Sequence, residues 1–310
     1  MAVHLFKIYQ PLFPLAEILC FDPALMLPVY QEKLRGVNER PDKGKWNFWY
    51  TESMKIAVTG KGGVGKTTLS AVLSRLYASE GKRVIAVDAD PDANLAAALG
   101  IPKTDADRIR PIAEITELIE ERTGARPGVS GGIFKLNPRV DDIPEQFGYR
   151  SGNIVLLRTG KSKEAASGCY CPENVFLRRL LRHLVVSRDE VVIVDMEAGI
   201  EHLTRGTAEA VDAFIVVVEP GQRSIQTANT VRDMAVGLGV KKVFVVANKV
   251  RGEQDLDFIR KQLQGVELIG HIAFSHEIME SDIAGISPFE IKSAVGDVAK
   301  IKGALESRIG

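Results

Sequence analysis

An α/β fold, with a mostly parallel central sheet of about seven or eight strands and helices on both faces, is what this sequence predicts. Three observations carry that prediction. Short apolar, β-branched runs alternate with segments of helical periodicity about 10–15 residues long. The runs are continuously apolar rather than alternating, as strands covered on both faces are. The first of them leads directly into a glycine-rich loop and then a helix, a connection typical of parallel sheets.

Composition sets the outer bounds. The chain has 310 residues, 40 Lys+Arg against 40 Asp+Glu, 45% hydrophobic and 26% charged residues. That is an ordinary globular balance; it excludes a disordered chain and argues against non-specific nucleic-acid binding. Three cysteines make no disulfide framework, so the reducing cytoplasm is the expected compartment.

Residues 1–53 differ from the rest. They hold nine of the 20 Phe, Trp and Tyr, both Trp and five of the 14 Pro, but only two of the 28 Gly. Lys7, Pro11, Pro14, Glu17 and Asp22 interrupt every apolar run, so neither a secretory signal nor a membrane span fits. Met54 opens the first strand, and the expectation is an appended or mis-started extension ahead of one compact domain over 54–310. The other reading is a docking arm whose aromatic cluster at Trp46–Tyr50 packs on a partner.

The first strand, Lys55–Thr59, runs into Gly60-Lys-Gly-Gly-Val-Gly-Lys-Thr-Thr68, and helical spacing follows from Leu69 to Ala78. The loop satisfies G-x-x-x-x-G-K-[ST], so the fold is expected to be that of a P-loop NTPase. Backbone N–H groups over Gly60, Gly62, Gly63, Val64, Gly65, Lys66, Thr67 and Thr68 can converge on phosphate oxygens at a helix N-terminus. Lys66 is expected to neutralise the β- and γ-phosphates and the Thr67 hydroxyl to ligate Mg²⁺.

Lys61 is a second lysine in the same loop. K-G-G-x-G-K-T-T resembles the deviant Walker A form of the MinD/ParA partition ATPases and the nitrogenase iron protein. That resemblance implies a nucleotide-sandwiched homodimer in which Lys61 reaches the partner's phosphates and acts catalytically in trans. The second strand, Val84–Asp88, continues into Ala-Asp90-Pro-Asp92. By resemblance to the family's D-x-D-P switch, Asp90 positions the attacking water and Asp88 lies nearer the metal. Asp92 either shares that work or caps a helix starting at Ala93.

Val191–Asp195 is an apolar run ending in Asp, the Walker B form, with Asp195 expected to reach Mg²⁺ through an intervening ligand. The segment from Asp195 to Thr207 reads as a glycine-hinged switch, with the backbone near Gly199 a candidate γ-phosphate sensor; His202 reads as an ordinary polar residue. Phe214–Val218 and Val243–Ala247 are two more buried-type strands. The latter ends at Asn248, where the family places an adenine-contacting Asn. Position 251 is Arg, not the Asp of a guanine site, so ATP is expected over GTP.

Asn153–Arg158 reads as a further strand, followed by Cys169-Tyr-Cys171-Pro-Glu and a helix from near Pro172. In extended chain, residues i and i+2 point the same way, so both sulfurs can meet one soft metal ion. One pair supplies two ligands, where Zn²⁺ prefers four; two copies on a two-fold axis supply them.

Residues 54–310 resemble the CooC-type nickel-insertion ATPases, including the AcsF-like members that mature carbon monoxide dehydrogenase/acetyl-CoA synthase. The resemblance rests on Met54–Thr68, V-D-A-D-P-D, Cys169-x-Cys171 and D-M-E-A-G-I-E-H from Asp195. It implies ATP-dependent dimerisation, Ni²⁺ or Zn²⁺ held between the C-x-C pairs, hydrolysis coupled to nickel delivery, and carbon monoxide dehydrogenase or acetyl-CoA synthase as client. Two other readings remain: an iron–sulfur cluster-carrying or reductase-type ATPase, and a MinD/ParA-type positioning ATPase. The last wants a basic amphipathic terminal helix or a basic excess. Residues 54–310 carry 34 basic and 34 acidic residues, and the apolar stripe over 288–310 is mixed with Glu290, Asp297 and Glu306, so neither membrane nor nucleic acid is expected as a partner.

Overall fold

The sheet of the computed structural model contains β1 (Lys55–Thr59), β2 (Val84–Ala89), β3 (Tyr149–Ser151), β4 (Ile154–Arg158), β5 (Val191–Met196), β6 (Ala213–Val218), β7 (Val243–Val250) and β8 (Glu267–Ala273). Their spatial order is β3-β4-β2-β5-β1-β6-β7-β8. The structure describes residues 53–128, 133–160, 171–197, 208 and 210–309. The Trp46–Tyr50 cluster, Cys169, Gly199 and His202 lie outside the described residues.

Every ladder is parallel except β3–β4, which is antiparallel. The expected architecture therefore holds, with eight strands among the described residues. Six coincide with the apolar runs of the sequence. The other two are the edges: β3 has three residues, and the β7–β8 ladder shifts register twice, between Val245 and Val246 and between Ala247 and Val250.

Among the described residues ten α-helices accompany the strands: α1 (Lys66–Ser79), α2 (Leu95–Ala98), α3 (Lys103–Ala106), α4 (Thr116–Thr123), α5 (Ile143–Phe147), α6 (Pro172–Ser187), α7 (Gln222–Gly237), α8 (Glu253–Gln262), α9 (His276–Ala284) and α10 (Lys292–Ile309). Side chains of a strand alternate between faces, and the two cores divide accordingly. Ile56 and Val58 join Leu69, Val72 and Leu73 of α1 and Val298, Ile301 and Leu305 of α10. Ala57 faces the other way, toward Phe176, Leu180 and Leu184 of α6 and Ile225, Ala228 and Val231 of α7. The C-terminal apolar stripe is thus spent on the core. No helix among the described residues is long and apolar enough to cross a membrane.

β1 lies between β5 and β6. The chain leaves β1 for β2 on one side and later crosses from β5 to β6 on the other. A crevice opens beyond the carboxyl ends of the strands where connections diverge in this way, and α/β sheets bind ligands there.

Candidate functional site

The loop from β1 to α1 fills that crevice, and its shape is fixed by glycine at two points. Gly60 has φ of 150°, and a Cβ there would lie 2.5 Å from the Val217 carbonyl oxygen on β6. Gly65, the N-cap of α1, has φ of 93°, and a Cβ there would meet Asn248 Nδ2 at 2.0 Å. Both backbone angles disfavour any L side chain. α1 has no side-chain cap and no acidic residue in its first turn. Its first N–H groups and the helix dipole are thereby left for an anion.

Lys66 is buried in the first turn, with Nζ 3.4 Å from the Lys61 carbonyl oxygen and 3.4 Å from Asp90 Oδ2. The two lysines and Asp90 singled out by the sequence are therefore neighbours, Lys61 through its backbone. Asp90 also accepts from the Asp92 backbone N–H at 2.9 Å. The helix expected from Ala93 starts instead at Leu95, with Asn94 as N-cap and no side-chain cap bond. It is Asp88, not Asp92, whose Oδ2 accepts from the Leu95 N–H, at 3.1 Å.

Asp88 and Asp195 are register partners on adjacent strands β2 and β5. Both are buried. Thr67 Oγ1 donates to Asp195 Oδ2 at 2.7 Å and Ser70 Oγ to Oδ1 at 3.2 Å. Burial pushes the Asp195 carboxyl up to about 6, against the lowering effect of the Thr67 bond and the Lys66 charge. Burial, then the Asp195 charge, pushes Asp88 up to about 7, while its bond from Leu95 lowers it. Asp88 Oδ1 is buried and has no hydrogen-bond partner.

These residues fit a divalent cation. The Thr67 proton is committed to Asp195, which leaves the hydroxyl lone pairs for a metal. The orphaned Asp88 oxygen and two destabilised carboxylates are what a nearby cation would satisfy. Ser70 was not among the residues read from sequence; its place three residues after Thr67, on the same helix face, was the available signal.

The opposite wall comes from β6 and β7. Asn248 is buried; its Nδ2 donates to the Val64 carbonyl oxygen at 2.8 Å and its Oδ1 accepts from the Lys249 N–H at 2.8 Å. The residue expected beside a base thus also braces the loop. Beneath the crevice, Thr59 Oγ1 donates to the Glu197 carbonyl oxygen at 2.8 Å, tying the end of β1 to the chain leaving β5.

Cys171 is buried as the N-cap of α6, with extended backbone (φ −95°, ψ 153°), and its carbonyl accepts from Val175 N–H. α6 is the crossover from β4 to β5, so its N-terminus lies at the carboxyl end of the sheet, the end that carries the phosphate loop. Among the described residues no group of three or more His, Cys, Asp or Glu is placed to hold a metal ion.

Comparison with known proteins agrees with this geometry. The family profile described as "CobQ/CobB/MinD/ParA nucleotide binding domain" matches residues 55–289. The chain is 48% identical over 258 residues to the carbon monoxide dehydrogenase accessory protein CooC of Rhodospirillum rubrum, covering 83% of this chain and 98% of that one. It is 46% identical over 252 residues to an ATP-binding protein of Methanocaldococcus jannaschii, covering 80% and 96%. Among solved structures, MinD in the MinC:MinD complex of Aquifex aeolicus superposes with a TM-score of 0.60 at 21% identity, covering 82% and 96%. A ParA family ATPase from Chlorobium tepidum gives 0.59 at 16% identity, covering 82% and 99%. At those identities the structures speak for the fold.

Proposed function

This chain belongs to the CobQ/CobB/MinD/ParA nucleotide-binding family, as a CooC-type ATPase, and on that premise we propose that it is a metallochaperone coupling ATP hydrolysis to nickel insertion into carbon monoxide dehydrogenase/acetyl-CoA synthase. The working unit is residues 54–310, acting as a homodimer.

In the reaction, water adds to the γ-phosphorus of ATP as the bond to the ADP oxygen breaks. Asp90 orients the water, Lys66 neutralises charge on the β- and γ-phosphates, and Lys61 does the same from the partner subunit. Thr67 would hold Mg²⁺, with Asp195 fixing the hydroxyl and Asp88 facing the same charge. When bound, that ion supplies neutralisation of the phosphate oxygens. Asn248 lies on the base side. Hydrolysis resets a dimer whose metal-holding state depends on ATP.

The cargo, Ni²⁺ or Zn²⁺, is held by Cys169 and Cys171 from each subunit. One observation carries this reading: Cys171 caps α6 at the same end of the sheet as the phosphate loop. A helix N-terminus also favours thiolate. The test is metal analysis of anaerobically purified protein with and without ATP. Cys169→Ser with Cys171→Ser is expected to abolish stoichiometric Ni²⁺ binding while ATP binding persists. Retained Ni²⁺ would refute the site, and a visible absorbance that bleaches on reduction would favour an iron–sulfur cluster instead.

A further inference from the structure

Among the described residues Lys249 is the one non-glycine residue with positive φ, at 57°. The left-handed region is unfavourable for a lysine, and such strain persists where the surroundings over-determine it. Lys249 is held at three points. Its N–H donates to Asn248 Oδ1, its Nζ donates to the Gly63 carbonyl oxygen at 2.7 Å, and Nζ pairs with Glu219 Oε2 at 3.2 Å.

Fold stability does not account for the lysine. Its side chain is 45% exposed, and exposed ion pairs contribute little. Glycine would take the same backbone angle without the Cβ penalty. What a glycine would lack is the contact to the phosphate loop. Lys249 and Asn248 together hold the consecutive carbonyls of Gly63 and Val64. Because peptide units are planar and trans, fixing those two oxygens also fixes the Val64 N–H, which closes a turn onto the Lys61 carbonyl oxygen at 3.4 Å, and the Gly65 N–H that follows it.

We propose that Lys249 is a positioning residue for the phosphate loop: its ammonium, anchored on Glu219, pins the Gly63 carbonyl and with it the Lys61–Val64 turn, so that the N–H groups beyond that turn stay aimed for phosphate. This rests on the nucleotide-binding reading. It reaches past the motif residues to one that touches the loop from β7.

The experiment pairs MgADP calorimetry with urea unfolding for the unaltered full-length chain, Lys249→Gly and Lys249→Met. Both variants are expected to bind MgADP about ten-fold more weakly, while the unfolding midpoint of Lys249→Gly is no lower than that of the unaltered chain. Unchanged affinity in either variant would overturn the proposal. So would a fall in both stability and affinity for Lys249→Gly, the outcome expected of a purely structural lysine. If the unaltered chain binds no MgADP, the nucleotide reading itself fails and this inference falls with it.

Discussion

The two walls of the phosphate loop are built on opposite electrostatic terms. On the β2–β5 side, two buried carboxylates stand in register, both pushed upward by burial, with one oxygen of Asp88 left unbonded. On the β6–β7 side, Asn248 bonds through both ends of its amide, Lys249 is anchored three ways, and Gly60 packs against the Val217 carbonyl. The second wall is finished as it stands. The first leaves a buried carboxylate oxygen that a cation would satisfy, and buried groups left partly satisfied are where proteins trade stability for chemistry.

The largest effect should come from breaking the finished wall. Gly60→Ala puts a methyl group against a backbone carbonyl at an unfavourable φ and is expected to cost about 3 kcal/mol in urea unfolding. A loss under about 1 kcal/mol would show that the wall yields.

Next in size, and opposite in sign, is Asp88→Asn. A folded carboxyl near 7 keeps a proton that the unfolded chain, at its ordinary 3.8, has already released. The folded state thus binds more protons between those values, and stability falls as pH rises through the window. Asp195, raised to about 6, adds in the same direction. Without nucleotide or metal, Asp88→Asn should be more stable at about pH 8, by on the order of 2 kcal/mol, and nearly unchanged at about pH 4. Thermal unfolding across that range checks it; a parallel offset at every pH would contradict the frustrated-carboxylate account.

The smallest of the three sharpens the contrast. Asn248→Ala removes the bonds to the Val64 carbonyl and the Lys249 N–H and is expected to cost about 1 kcal/mol. That cost should be the same at about pH 6 and pH 8, since no titrating group is lost. A pH-dependent cost would mean that the two walls are electrostatically coupled.

The central strands were legible in sequence because a strand buried on both faces is an unbroken β-branched run, as at Val191–Asp195 and Phe214–Val218. β3 and β8 were not. Tyr149–Ser151 is too short to show a period, and Glu267–Ala273 mixes exposed and buried positions along an irregular ladder. The phosphate-side residues were readable because loop spacing and strand-end aspartates are local signals. The bracing contacts were not, since Asn248 and Lys249 meet Val64 and Gly63 across 184 and 186 residues of chain. Adjacent Asn and Lys identify a position; only the folded sheet shows what each holds.

The two edges bear on how copies of this protein can come together. A sheet grows by adding a strand to an open edge, and that needs a long, regular ladder. One edge here is three residues long, and the other carries two register shifts in its ladder and charged or polar Glu267 and His271. Neither is a good template. The edges therefore disfavour edge-to-edge polymerisation and leave self-association to surfaces other than the sheet's own margins.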